Sequence, residues 1–166
     1  GFFFFFAAAA PWAMLPLVVK EQLGLGAGSF GILLGLMGSG GVATVVHIGD
    51  GWFGAERTSK HLWSWSSGRS QLVIDTWANA PANVRLDFAL RTLAPRTVIV
   101  RQGDRELWRG PVGEKTAPHS ISLRLAPGRT NLEFYSETPP TSESPHPDAR
   151  ALAFALYDLR LSVLTP

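Results

Sequence analysis

The sequence predicts a mainly β protein, in which an antiparallel, jelly-roll-like sandwich follows an N-terminal transmembrane helical segment. The first observation is charge: of 15 basic and 13 acidic side chains, residues 1–49 hold only Lys20 and Glu21. The second is a period-two alternation of apolar and polar residues from His61 onward, interrupted by turn residues about every eight to twelve positions. We therefore predict a membrane-anchoring helical hairpin over residues 1–47 and a β-sandwich domain over residues 48–166.

Two uncharged runs form the leading segment, Phe2–Val19 and Gln22–Gly49. A helix as long as the first run extends about 27 Å, close to the hydrocarbon thickness of a bilayer, so we expect two spans joined by a tight polar turn. Gly31, Gly35 and Gly38 in the second span have GxxxG-type spacing, which lets a partner helix pack closely in lipid. A hairpin buried in a soluble protein is the alternative, but the leading Phe and Ala runs have no polar face to offer water.

The stretch WAMLPLVVKEQLGLGAGSFGILLG begins at Trp12 and carries a family resemblance. Residues 12–46 resemble a helix–loop–helix of bacterial major facilitator transporters. The resemblance covers about a quarter of the chain, so it implies insertion into a bacterial membrane but not transport by this chain. It also implies membrane protein subunits and the lipid bilayer as partners.

Several segments after residue 61 alternate strictly between apolar and polar residues. The clearest runs from Asn83 to Arg91, where Val84, Leu86 and Phe88 share one face. The predicted strands are Gln71–Ala78, Asn83–Arg91, Thr97–Gln102, Arg105–Arg109, His119–Leu125, Thr130–Ser136 and Ala151–Leu164.

Turn residues and a change in the phase of the apolar–polar alternation give further predictions for residues after Arg109. Gly110-Pro111 is predicted to end its strand, and the Pro-rich stretch Glu137–Asp148 is predicted to be a long exposed loop. In Ala151–Leu164 the alternation changes phase at Tyr157-Asp158, which predicts a β-bulge or a strand that switches sheets. A helix is the competing interpretation of that segment, because Ala and Leu favour helices.

Short motifs in the second part of the chain carry another resemblance: GWFGAE at 51–56, WSW at 63–65, LAPRTV at 93–98 and PDARALAFALYDLRL at 147–161. With them, residues 50–164 are similar to a β-sandwich domain at the C-terminus of bacterial membrane proteins, including envelope glycosyltransferases. The resemblance implies a non-catalytic module that contacts carbohydrate at the outer face of the membrane. Arg57 and Lys60 after the second span, against Lys20 at the far turn, favour the cytoplasmic side instead. The side of the membrane is therefore left open.

Composition excludes several function classes. The chain has no cysteine, so disulfides, zinc–thiolate sites and thiol nucleophiles are excluded. Its net charge is +2 and its arginines are interleaved with acids, a pattern that argues against nucleic acid as a partner. His61, His119 and His146 have no spacing that suits catalysis or metal ligation, so they are interpreted as surface or strand-end residues. We predict no catalytic residue and no cofactor.

Four carboxylates are weak candidates for holding a hard cation: Asp50, Glu56, Asp148 and Asp158. Their spacing matches no cation-binding loop, so the simpler interpretation is that they are solvated turn residues. In that interpretation Asp148 pairs with Arg150 or Arg57. No metal site is therefore predicted.

Tryptophans are the candidate binding residues. Trp63 and Trp65 are two positions apart, so on a strand they share a face, and an exposed pair would stack on sugar rings or on a partner protein. The alternative is that one or both fill the core. Trp52 follows the leading segment, where it could serve as an interfacial anchor. The predicted contact residues are Trp52, Trp63, Trp65, Trp108, Arg105 and Arg109.

Two functions follow from these observations. The first is a non-catalytic, membrane-anchored β-sandwich that acts as a structural or interaction subunit of a larger membrane protein complex. The alternative is a carbohydrate-binding module associated with an envelope glycosyltransferase, with the same tryptophans stacking on a glycan.

Overall fold

The computed structural model describes residues 43–164, and this part of the chain folds into twelve β-strands. Their bounds are β1 (Ala43–Ile48), β2 (Glu56–Arg57), β3 (Leu62–Trp65), β4 (Arg69–Trp77), β5 (Ala82–Thr92), β6 (Arg96–Gln102), β7 (Arg105–Val112), β8 (Ala117–Leu125), β9 (Gly128–Tyr135), β10 (Thr141–Ser142), β11 (Ala151–Leu152) and β12 (Phe154–Val163). Within residues 43–164, no helix is long and apolar enough to cross a membrane. The predicted hairpin, with Gly31, Gly35 and Gly38, lies outside the described residues except for positions 43–47.

Most of the strands form two antiparallel sheets, which we call sheet I and sheet II. Sheet I has the strand order β1-β4-β9-β6-β7, sheet II has the order β2-β3-β12-β5-β8, and β10 pairs with β11 separately. From β3 to β6 the chain passes between the sheets at every step, a connectivity typical of jelly-roll sandwiches. The predicted antiparallel β-sandwich is confirmed.

The core lies between the sheets and is filled by the inward-facing residues of both. Leu72 and Phe134 from sheet I, and Leu86 and Phe154 from sheet II, are fully buried. Burying each of these side chains contributes about 1.5–3 kcal/mol relative to leaving it exposed. The alternation in the sequence is therefore the alternation between the core and the outer faces.

The first strand begins before the predicted domain boundary. Residues 43–47, predicted as the end of the helical hairpin, belong to β1, which pairs with β4. Val46 is buried opposite Ile74, and Thr44 is buried opposite Thr76. The prediction is wrong at these positions because an uncharged, apolar edge strand has the same hydropathy as the end of a membrane helix.

The last strand carries the predicted bulge. Between Tyr157 and Arg160, β12 gains one residue relative to its partner β5, and Asp158 adopts a φ of 49° there. The buried positions change parity at this point, because the extra residue reverses which side chains face the core. The β-bulge is confirmed, and the competing helix is wrong because the segment forms the strands β11 and β12, which end at Val163.

Two local predictions need correction. The strand β7 does not end at Gly110-Pro111 but continues through both residues to Val112. It is the edge strand of sheet I, where a proline can sit without removing a bond from the sheet's interior. The predicted loop Glu137–Asp148 includes the short strand β10, and the Arg96 guanidinium donates to the carbonyls of Thr138 and Pro139 at its start.

Two glycines with positive φ provide a matched stability test. Gly51 has a φ of 82°, and a Cβ added there would lie 1.9 Å from the carbonyl oxygen of Arg69. Gly103 has a φ of 57°, but a Cβ there would have no atom within 4 Å. We expect Gly103→Ala to cost about 1–2 kcal/mol through backbone strain alone. Gly51→Ala should cost at least about 3 kcal/mol, because the clash adds to the strain.

Denaturant unfolding followed by tryptophan fluorescence measures both costs. The Gly51 carbonyl also accepts hydrogen bonds from the hydroxyls of Ser67 and Ser70, so displacing this turn disturbs several contacts. Equal destabilisation by the two substitutions would contradict the assigned packing of the turn.

Candidate binding site

The two tryptophans of β3 lie together on the outer face of sheet II, as their spacing predicts. Trp65 is buried, with the Arg91 guanidinium 5.6 Å from its ring centroid. Trp63 is half-buried and stacks on Tyr157, with ring centroids 5.4 Å apart and planes inclined by 16°. Both indoles are therefore packed in a small apolar cluster on this face, which Leu152 completes.

The remaining predicted contact residues lie on other faces. Trp52 is half-buried and its ring meets Phe154 edge to face, with centroids 5.8 Å apart. Trp108 packs from β7 against the core between the sheets. Arg105 and Arg109 are exposed on the same strand, and Arg109 donates from Nη2 to Oε2 of Glu106 at 2.9 Å. The structure does not bring the predicted residues together on one surface.

Arg150 pairs with carboxylates other than the predicted one. Its guanidinium donates to Glu56 at 2.9 Å and to Glu143 at 2.8 Å, and these bonds raise its pKa. Asp148, the predicted partner, is exposed. The correction has a structural cause: pairing of β10 with β11 brings Glu143 beside Arg150. Glu56 is therefore part of an ion-pair network that fastens the long loop to β2.

The other candidate carboxylates are on the surface. Asp158 lies at the bulge with Oδ2 at 2.8 Å from the Nδ1 of His61, and Asp50 is exposed in the turn after β1. In the described part of the chain, no group of three or more His, Asp or Glu residues could hold a metal ion. His119 differs from its surface interpretation, since it packs against Trp108 at 4.6 Å between ring centroids, and its burial lowers its pKa.

A cleft of about 410 Å³ opens at one end of sheet I. It is formed by the end of β4, the turn that follows it and the turn that enters β9. The lining residues are Asp75, Thr76, Trp77, Ala78, Asn79, Pro127, Gly128 and Arg129. We call it the Trp77 cleft, because the Trp77 side chain is 62% exposed, more than any other large apolar side chain among residues 43–164.

Asp75 on β4 and Arg129 on β9 form the polar wall of this cleft, and His47 on β1 supports it from outside the lining. Arg129 donates from Nε to Oδ1 of Asp75 at 2.9 Å and from Nη2 to Oδ2 at 3.2 Å. His47 from β1 lies 3.3 Å from the same carboxylate. Two of the five guanidinium N–H groups are used in this pair, and the Arg129 side chain is 68% exposed. The remaining N–H groups can donate to a ligand.

The pKa of Asp75 lies below its ordinary value. The main cause is the side-chain hydrogen bond from Arg129, to which the positive charges of Arg129 and His47 add; partial burial opposes them. The carboxylate therefore stays ionised and fixed beside the indole. The cleft combines a flat apolar surface with a held carboxylate, a guanidinium and the Asn79 amide.

Sequence reasoning missed this site. The sequence predicts Gln71–Ala78 only as a strand, so Trp77 receives no functional role there. In the structure only the face with Leu72 and Ile74 is buried. The available signal was position: Trp77 is the last residue of its strand, directly before the uncharged turn Ala-Asn-Ala-Pro.

Comparison with protein families gives one match, at the beginning of the chain. Residues 1–50 match the MFS_3 family, described as a transmembrane secretion effector. The match covers 50 of 166 residues, and it includes β1 but none of the later strands. No curated protein matches the sequence.

Solved structures with a similar fold include carbohydrate-binding modules. A CBM4 structure has 9% sequence identity and a TM-score of 0.43, covering 72% of this chain and 78% of its own. A family 29 carbohydrate-binding module has 7% identity and a TM-score of 0.40, covering 81% and 86%. The secreted serine protease VesC from Vibrio cholerae has 13% identity and a TM-score of 0.39, covering 72% and 24%. Likenesses this distant assign neither a family nor a ligand.

Replacing Arg129 tests the electrostatics of the cleft. We expect Arg129→Ala to raise the pKa of Asp75 toward its ordinary value near 3.8, because the largest cause of the lowering is removed. A carboxylate with a lowered folded-state pKa stabilises the fold above its unfolded pKa, and this contribution is lost as the pH falls through the folded value. The variant should therefore be less stable than the wild type at neutral pH. When the pH falls below about 4, its free energy of unfolding should decrease less than that of the wild type.

Carbon-detected NMR titration of the Asp75 carboxyl measures the shift. Arg124→Ala, at an exposed position on β8, is the matched control and should leave the titration unchanged. An Asp75 pKa that does not respond to Arg129→Ala would refute the assigned ion pair.

Proposed function

We propose that the sandwich is a non-catalytic carbohydrate-binding module of a membrane-tethered chain, and that it binds its glycan in the Trp77 cleft. The observation that carries the proposal is the exposed indole of Trp77 beside an open cleft with a fixed carboxylate and a guanidinium. A sugar ring has an apolar face of C–H groups and a rim of hydroxyls. In the cleft, the indole can contact the apolar face of the sugar, and the charged side chains can form hydrogen bonds with its hydroxyls.

The indole face supplies the apolar half of this recognition. Trp presents a large contact area with few rotatable bonds, so little conformational entropy is lost when a ring stacks on it. A solvated indole also exposes apolar surface to water, which is unfavourable in free energy. Covering the indole with the apolar face of a sugar removes part of this surface from water. Trp63 and Trp65 have this surface occupied already by Tyr157 and Arg91.

The polar half is held in place before a ligand arrives. Asp75 is fixed by Arg129 and His47, so its oxygens need no reordering to accept from sugar hydroxyls. Arg129 retains N–H donors for hydroxyl or carboxylate oxygens of a sugar. Preorganisation of this kind strengthens binding because fewer side chains lose freedom on association.

The tether is proposed from the leading segment. Its supports are the match of residues 1–50 to a transmembrane secretion effector and the presence of only two charged residues before Asp50. A module that both binds a glycan and is tethered to the membrane would keep an envelope protein bound to a carbohydrate. The side of the membrane stays open in this proposal.

An interaction subunit of a membrane protein complex is the second candidate. One observation favours it: Trp63, which stacks on the buried Tyr157, is only half-buried on the outer face of sheet II. Aromatic residues at such positions are common in protein interfaces. The two candidates use opposite faces of the sandwich, so single substitutions separate them.

A glycan array with the full chain in detergent tests the main proposal. We expect binding to a defined set of glycans, weakened about tenfold or more by Trp77→Ala, because stacking on a tryptophan is lost. Trp63→Ala is the matched control and should leave glycan binding unchanged, since it lies on the other sheet. Circular dichroism and thermal unfolding verify that both variants are folded.

The opposite pattern favours the second candidate. Absence of binding on the array, with subunits that co-purify with the wild type and are lost in Trp63→Ala, would refute the carbohydrate proposal. Glycan binding that survives Trp77→Ala would refute the assignment of the cleft.

A further inference from the structure

The Trp77 cleft lies at the end of the sandwich where the leading segment joins it. Ala43, the first described residue, pairs with Trp77 in the register of β1 and β4. The sequence from Gln22 to Gly49 is uncharged, so the apolar run continues directly into β1 beside the cleft.

The same end gathers the exposed apolar side chains. Among residues 43–164, the exposed large hydrophobic side chains are Trp77, at 62%, and Leu164, at 38%. Leu164 donates its backbone N–H to the carbonyl of Asn83, next to the start of β5, and β5 follows β4 after a four-residue turn. Both side chains are therefore at the end of the sandwich from which the leading segment departs.

The two turns that flank the cleft carry no charge, whereas the β6–β7 turn, which points toward the same end, holds Asp104. The β4–β5 turn is Ala-Asn-Ala-Pro at residues 78–81, and the β8–β9 turn is Ala-Pro at residues 126–127. At the opposite end, the loop over residues 136–150 contains three acidic residues and one arginine. Placing charged turns against a bilayer surface has a desolvation cost that these two uncharged turns avoid.

These observations share one physical consequence. If the leading segment is inserted in a bilayer, the end of the sandwich with Trp77 is the end at which that segment joins β1, and the charged loop lies at the opposite end. Tryptophans are enriched at this interface because the indole has both an apolar body and a polar N–H. The cleft then opens into the headgroup layer.

We infer that the glycan bound by the Trp77 cleft is the headgroup of a glycolipid in the membrane that holds the chain. This inference rests on the proposed carbohydrate-binding function and narrows it. A headgroup sugar would stack on Trp77 while Arg129 and Asp75 contact its hydroxyls. A soluble polysaccharide would have to enter from the bilayer side and is the disfavoured ligand.

The absence of cysteine from the sequence makes the orientation measurable. Asn79→Cys places a spin label in the cleft turn, and Ser144→Cys places one in the loop at the opposite end. The full chain is reconstituted in phosphatidylcholine nanodiscs. We expect lipid-soluble oxygen to relax the label at position 79 more than the label at position 144. A water-soluble nickel complex should relax the label at position 144 more than the label at position 79.

A binding measurement accompanies the labels. The probe is a phosphatidylcholine nanodisc containing ten mole per cent (about one lipid in ten) of a glycolipid whose headgroup is chosen from the array. Reconstituted chain should crosslink to a photoactivatable form of this glycolipid, with yield reduced about tenfold in Trp77→Ala and unchanged in Trp63→Ala.

The outcomes separate the two proposals. Lipid accessibility at position 79 together with Trp77-dependent crosslinking supports the inference. Trp77-dependent binding on the array, with position 79 as water-accessible as position 144, overturns the inference and leaves the carbohydrate-binding function standing. Lipid accessibility at position 79 without glycan binding on the array or in the nanodisc overturns both proposals, because Trp77 is then a contact with lipid alone.

Discussion

The register of β4 is the constraint on which the rest of this structure depends. Leu72, Ile74 and Thr76 face the core, so the alternate residues face outward. The strand has partners on both sides, β1 and β9, and a shift of one residue would exchange the two faces along its whole length. The core therefore fixes the outward positions of Asp75 and Trp77. The cleft is a consequence of burial elsewhere on the same strand.

Pairing across β4 then assembles the polar wall. In the ladder, Asp75 lies opposite Arg129 on one side, while His47 on β1 reaches the same carboxylate from the other. None of the three is near another in the chain, and each lies on the outer face because of its parity in its own strand. An exposed ion pair contributes little to stability, because water screens it and both side chains lose freedom. Its consequence here is the fixed orientation of two polar groups beside an indole.

The elements that the sequence predicts correctly are those with strict alternation. The strand Asn83–Arg91 and the bulge at Tyr157-Asp158 are both visible as parity in the sequence, because burial on one face leaves a period of two. The start of β1 could not be predicted this way, since an apolar strand and the end of a membrane span have the same composition. Trp77 was missed for a related reason: its parity gives the face it occupies, but its exposure depends on which turns lie around it. The clustering of Trp63 with Tyr157 likewise depends on strand pairing.

The geometry of one end of the sandwich bears on how the two resemblances in the sequence fit together. A membrane helix–loop–helix and a carbohydrate-contacting sandwich seem unrelated when they are placed in separate domains. The strand β1 connects the two parts, because it lies within the last residues of the uncharged run and pairs with the strand that carries Trp77. In the proposed tethered chain, attachment at that point restricts what the cleft can reach to molecules at the bilayer surface. Such a restriction would raise the effective concentration of these ligands, so the proposed recognition would need only modest intrinsic affinity from the cleft.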